Sequence, residues 1–181
     1  NFDLFKEHIA KAMHLMDDII DLELEKVDLI ISKIEGDPED QDVRRVELEL
    51  WKKIKDMALK GRRTGLGITA EGDMLAALGL RYGSEEAIDF AVEVHKTLAV
   101  EAYRASVMMA KDRGAFGVFN FEKEQGNPMV GRILEAAPEL RELMQQYGRR
   151  NIAMLTIAPT GTTSLMSQTT SGIEPLFRPV Y

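Results

Sequence analysis

The chain has 181 residues, 45% of them hydrophobic and 29% charged, with a formal net charge of −7 and no cysteine. That balance excludes a disordered chain, rules out disulfides and thiolate metal sites, and offers no basic stripe for nonspecific nucleic-acid binding. No apolar run is long enough to span a membrane and no charged-then-apolar leader stands at the start, so the expectation is a cytoplasmic protein with neither membrane nor nucleic acid as partner.

Apolar residues at Phe5, Ile9, Met13, Met16, Ile20, Leu24, Val27, Ile31 and Ile34 recur every three or four positions, which predicts one long amphipathic helix. Leu15, Ile19, Leu22 and Ile30 widen the stripe, so much of this helix is expected to be enclosed. Gly36-Asp37-Pro38 reads as punctuation: Gly36 past the end, Asp37 as N-cap and Pro38 in the first turn of the next helix. That second helix, 38–60, carries Val43, Val46, Leu50, Ile54 and Met57 on one side, with Trp51 beside the stripe and a charged opposite face. Gly61 ends it, and Gly65-Leu66-Gly67 lets the backbone approach a neighbour closely. A short helix is predicted over 70–78, closed by Gly79. Ser84, followed by Glu85 and Glu86, is an N-cap signature for a long helix striped with Ala87, Ala91, Val94, Leu98, Ala102, Ala105 and Met109. Gly114 ends it. Residues 115–131 read as an irregular connection, Pro138 opens a last helix to about Tyr147, and the apolar run 152–158 is the one expected strand.

The run stops at Pro159 and enters a hydroxyl-rich turn, Thr160-Gly161-Thr162-Thr163-Ser164. A strand opening through such a turn into a helix start gathers free N–H groups, hydroxyl donors and the positive end of a helix dipole, which suits an anion. Gly161 is the expected point of the tight turn. The alternative is an ordinary strand-to-helix connection capped by Ser or Thr. From Arg149 onward there are three arginines and one acid, a local charge inversion that favours an anionic ligand. Arg62, Arg63, Arg149 and Arg150 are each open to two readings, contact with an anion or structural pairing. Glu174, in Ser171-Gly172-Ile173-Glu174-Pro175, reads as a turn residue accepting backbone N–H groups, the alternative being a residue that orients the loop or pairs with an arginine. His8, His14 and His95 show no metal spacing; Asp17, Asp18, Asp21, Glu23 and Glu25 lack a paired Glu-x-x-His and read as a polar helix face. The ten methionines lie largely on core stripes.

Several of these segments resemble a known family. Residues 151–163 and 171–175, with the form APTGTTS…TSGIEP, resemble the phosphate-binding strand, loop and helix of the ribonucleotide reductase large (catalytic) subunit, in the adenosylcobalamin-dependent class II form more than the di-iron-dependent one. Gly61-Arg62-Arg63-Thr64-Gly65-Leu66-Gly67 with Asp73-Met74-Leu75 is similar to that family's RR-x-G-L-G segment, and residues 2–25 to the long helix before it. The resemblance implies a fold that is mainly α with one or few strands: a segment of a ten-stranded α/β barrel, helices packed around a buried strand. It implies one segment of the catalytic barrel over 1–181, helical over 1–148, with strand, phosphate-binding loop and following helix over 149–181.

By the same resemblance Pro159, Thr160, Gly161, Thr162, Thr163 and Ser164 stand where the substrate's phosphates are held. The parent enzyme would reduce ribonucleotides to deoxyribonucleotides by thiyl-radical chemistry, with adenosylcobalamin as cofactor. Its partners would be a ribonucleotide substrate, the remainder of the catalytic subunit and a thioredoxin-like reductant. Such chemistry needs cysteines, and this chain has none; no catalytic or metal-binding residue is therefore assigned within it. Together with a missing initial Met, this reads as a piece of a longer polypeptide, inactive by itself. The competing expectation is a non-catalytic helical scaffold or binding module whose strand docks on a partner's sheet edge.

Overall fold

Asn1 caps the first helix through its side-chain oxygen, which accepts from the N–H groups of Asp3 and Leu4. Helix α1 then runs unbroken over Phe2–Glu35. The computed structural model describes residues 1–177. Within them follow α2 (Gln41–Gly61), α3 (Glu71–Ala77), α4 (Glu85–Arg113), α5 (Phe121–Gln125), α6 (Pro128–Ala136), α7 (Leu140–Tyr147) and α8 (Gly161–Ser167).

The long helix α4 organises the packing. It lies against α1, α6 and α7, while α2 packs chiefly on α1. The inward face of α4 is rich in small side chains, Ala99, Ala102, Ala105, Ser106 and Ala110, which allow neighbouring backbones to approach. Met13 of α1, Met109 of α4, Leu140 and Met144 of α7 and Val130 of α6 fill the space between and are fully buried. Burying each such side chain contributes about 2 kcal/mol. Ser84 caps α4 by accepting from Ala87 N–H, and Asn127 caps α6 ahead of Pro128.

The run 152–158 does not form a strand of a sheet. It lies parallel to residues 61–67, joined by Ile152 N–H to Gly61 O at 2.9 Å, Thr64 N–H to Ala153 O at 2.9 Å, Leu66 N–H to Met154 O at 2.7 Å and Thr156 N–H to Leu66 O at 3.0 Å. Only Leu66 and Leu155 form a ladder bridge. The expected segment of a ten-stranded α/β barrel, with helices around a buried strand, is therefore corrected: the described residues are helical, with almost no strand and no barrel. Two extended segments with no third beside them cannot propagate a sheet. The run is also not enclosed on both faces, since Ile157 is 62% exposed. A short apolar run reads alike as a buried strand or as an extended connection.

Helix α2 differs too. Its N-cap is Asp40 rather than Asp37. The stripe of Val43, Val46, Leu50 and Met57 lies outward, 46–57% exposed. Of the expected stripe Ile54 is half-buried, together with Leu48, Trp51 and Ala58. Lys55 pairs with Asp28 and Lys52 with Glu35 of α1. The connection expected over 115–131 contains α5 and the start of α6. Among the described residues, no helix is long and apolar enough to cross a membrane.

Candidate functional site

The hydroxyl-rich turn lies where residues 156–172 fold back over residues 66–73. Glycines permit the contact. A Cβ on Gly67 would overlap the carbonyl oxygen of Thr156, and one on Gly72 would meet Glu174 O at 2.7 Å and Pro175 Cα at 2.8 Å. The neighbour expected for Gly65-Leu66-Gly67 is thus the 152–158 run.

The tight turn falls on Thr160, at φ +48°, ψ 28°, and not on Gly161, which is already helical. A left-handed conformation in a β-branched residue costs about 1–3 kcal/mol, so something must hold it. Thr160 Oγ1 accepts from Gly172 N–H at 2.8 Å and lies 3.0 Å from Thr69 Oγ1. Thr69 Oγ1 donates to Thr170 O at 3.2 Å, and Thr170 N–H donates to Asp73 Oδ2 at 2.7 Å. Ser164 is buried, its hydroxyl turned back on Gly161 O at 2.8 Å. Pro159 is exposed and has no N–H to offer.

The remaining members of the turn are free. The backbone N–H groups of Gly161, Thr162 and Thr163 take no acceptor among the described residues, because the first helical bond of α8 is Ser164 N–H to Thr160 O. The hydroxyls of Thr162 and Thr163 are exposed and likewise unpaired among the described residues. Five donors therefore open to solvent at one end of α8.

Arg62, Arg149 and Arg150 are paired away from this turn. Asp17 is fully buried and accepts from Arg62 Nε at 2.8 Å, Asn151 Nδ2 at 3.0 Å, Arg150 Nε at 3.1 Å and Arg113 Nη1 at 3.2 Å. Arg62 also reaches Asp21, and Arg113 reaches Asp18. Burial pushes the Asp17 carboxyl up, but the hydrogen bonds and charges of Arg62 and Arg150 outweigh it and hold its pKa below the ordinary carboxylate range. Asp17, Asp18 and Asp21 lie close enough to share a metal ion, yet guanidinium groups already occupy their oxygens. Arg149 pairs with Glu124, donates to Ile152 O and stacks over Tyr103 and Phe116. Of the four arginines, only Arg63 is exposed. Arg149 and Arg150 are thus consumed within the fold, and Arg178, the third arginine of the local charge inversion, lies outside the described residues.

The polar-face reading of Asp17 fails on helix phase: it stands four residues after Met13 and three before Ile20, both buried. That phase was visible in the sequence. The roles of Thr69 and Asp73 were not, since each depends on a contact about ninety residues away or more. Glu174 is exposed; its carboxylate lies against Gly172, and it accepts no backbone N–H among the described residues. His95 Nε2 is 2.7 Å from Glu71 Oε2, a buried carboxylate at the start of α3.

The family whose model matches this chain is the ribonucleotide reductase barrel domain, over residues 1–181. The chain is similar to the vitamin B12-dependent ribonucleoside-diphosphate reductase of Mycobacterium tuberculosis, 35% identical over 136 residues that cover 75% of this chain and 17% of that protein. The enzyme of the same description from Thermoplasma acidophilum is 29% identical over 180 residues, 98% of this chain and 18% of the relative. The ribonucleoside-diphosphate reductase subunit alpha of Chlamydia pneumoniae is 27% identical over 195 residues, 97% of this chain and 16% of the relative. The chain spans less than a fifth of the length of these relatives.

Proposed function

The chain belongs to the ribonucleotide reductase barrel-domain family, and from that premise we propose that it is the part of an adenosylcobalamin-dependent ribonucleoside-diphosphate reductase that holds the substrate's phosphates. The observation that carries this reading is the group of five unpaired donors at the 160–163 turn, in a chain that matches the family over its whole length. The names of the relatives from Mycobacterium tuberculosis and Thermoplasma acidophilum support the cofactor and the diphosphate.

Within the loop of Pro159, Thr160, Gly161, Thr162, Thr163 and Ser164, the residues divide the work. The N–H groups of Gly161, Thr162 and Thr163 and the hydroxyls of Thr162 and Thr163 donate to phosphate oxygens. Pro159, Thr160 and Ser164 shape the turn. Charge-assisted hydrogen bonds of this kind contribute about 1.5–3 kcal/mol each. Fixing the phosphates lets binding energy remote from the reacting sugar carbon orient that carbon for attack.

No corrinoid site is assigned among residues 1–177. The apolar cavity lined by Phe2, Phe5, Phe90 and Val94, about 300 Å³, and the larger one beside His95, Met129 and Ile133, about 490 Å³, are both smaller than the group. His95 is engaged with Glu71, while His8 and His14 are exposed on α1. Adenosylcobalamin would supply the radical to the complete enzyme from a site elsewhere in the subunit. With no cysteine in residues 1–181, the thiyl-forming residue and the dithiol pair also lie outside this segment, which acts as one unit and is inactive by itself. A thioredoxin-like protein would recharge the dithiol, and the enzyme would work in the cytoplasm, apart from nucleic acid.

The test is made in the complete reductase. Activity should require adenosylcobalamin, and T162V/T163V should raise the substrate KM about tenfold or more. An unchanged KM in that double variant overturns the phosphate assignment.

A further inference from the structure

The left-handed turn at Thr160 is not self-sufficient, and its support comes from a segment ninety residues earlier. A hydroxyl has one proton to give. Thr69 gives its proton to Thr170 O, so the 3.0 Å contact between the two hydroxyls is made with the proton of Thr160. Gly172 N–H fills the acceptor side of Thr160. The result is one directed chain: Gly172 N–H to Thr160 O–H, Thr160 O–H to Thr69 O–H, Thr69 O–H to Thr170 carbonyl. Each hydroxyl receives once and donates once, so each bond polarises the next. Asp73 closes the same return segment by accepting from Thr170 N–H.

Two consequences follow from this proton order. The hydroxyl of Thr160 is spent inside the fold, leaving the donors of Gly161, Thr162 and Thr163 to face a ligand. The direction of those donors is set by the backbone of Thr160, which the chain pins at φ +48°. We infer that Thr69 is a positioning residue for the phosphate-binding turn: its hydroxyl, acting through Thr160, holds the turn open toward substrate before substrate arrives. This inference rests on the phosphate reading of the turn. Without the Thr69 hydroxyl, Thr160 loses the acceptor for its proton and can relax toward an extended or right-handed backbone, which swings the three N–H groups away.

The test uses T69V in the complete reductase, a change that keeps shape and removes the hydroxyl. The expected result is about a tenfold rise in KM for the ribonucleotide, with kcat changed less than about twofold. T69S restores the wild-type KM, and binding of the unphosphorylated ribonucleoside is the same in all three proteins. If T69V does not fold, T69A, which empties the position without crowding it, reads the same loss against T69S. A wild-type KM in the hydroxyl-free variant, while T162V/T163V raises it, overturns the positioning role and leaves the phosphate turn standing. A wild-type KM in both overturns both. A T69S enzyme as impaired as T69V also overturns the positioning role, because the hydroxyl chain would be intact.

Discussion

Asp17 shows how one buried carboxylate can decide the geometry of distant segments. Four donors converge on it, from the residue after α2, from the end of α4 and from two adjacent positions before the 152–158 run. Arg62 is itself buried, so removing the Asp17 charge leaves its guanidinium with the half-exposed Asp21 as its one remaining counter-ion among the described residues. D17N is expected to cost about 3–5 kcal/mol of stability, the range for breaking one side of a buried pair; a loss below about 1 kcal/mol by denaturant unfolding would contradict the role given to it. The pH dependence has a definite sign. The folded pKa of Asp17 lies below its unfolded value, so the stabilisation is fully present above about pH 4 and is lost as pH falls below that. D17N should flatten this part of the acid-unfolding profile, and an unchanged profile would remove Asp17 from it.

At the scale of elements, close approach between residues 66–73 and 156–175 builds the turn. Gly67 and Gly161 sit at two ends of that contact and should respond oppositely to alanine. At Gly67 a Cβ would overlap the Thr156 carbonyl, so G67A is expected to destabilise by about 1–3 kcal/mol. At Gly161 a Cβ meets nothing within 4 Å and the backbone is already helical, so G161A should be neutral or mildly stabilising. Thermal unfolding of both variants checks the pair; equal losses would place the turn back on Gly161.

The long helices were legible because a 3.6-residue period is a local signal, and so was the Ser84 cap of α4, whereas the cap of α2 is Asp40 and not Asp37. Three features were not. The stripe of α2 pointed to Val43, Val46, Leu50, Ile54 and Met57, but that helix packs chiefly on α1, which leaves all of these side chains except Ile54 outward. The run 152–158 carried the composition of a strand, while strand formation depends on neighbours that composition does not name. At the turn, the hydroxyl cluster was visible, but not its division: Thr160 faces inward on Thr69, far away in the chain, Ser164 turns back on Gly161 O, and Thr162 and Thr163 face outward.

At the scale of the whole molecule, 181 residues match relatives of which they cover less than a fifth. The outward apolar residues fit a segment with further neighbours: Leu165 and Met166 on α8 are 81% and 83% exposed, beside the five free donors. The segment's proposed contribution is a preformed cradle for phosphate, with the cofactor site and the cysteines proposed to lie elsewhere in the protein. The most direct measurement is equilibrium binding of a ribonucleoside diphosphate and of its parent ribonucleoside to the complete protein, wild type against T162V/T163V. The double variant is expected to lose about tenfold or more in affinity for the diphosphate and nothing for the nucleoside, as phosphate-binding by the turn requires. Equal diphosphate affinities in the two proteins, or a parallel loss for the nucleoside, would contradict it.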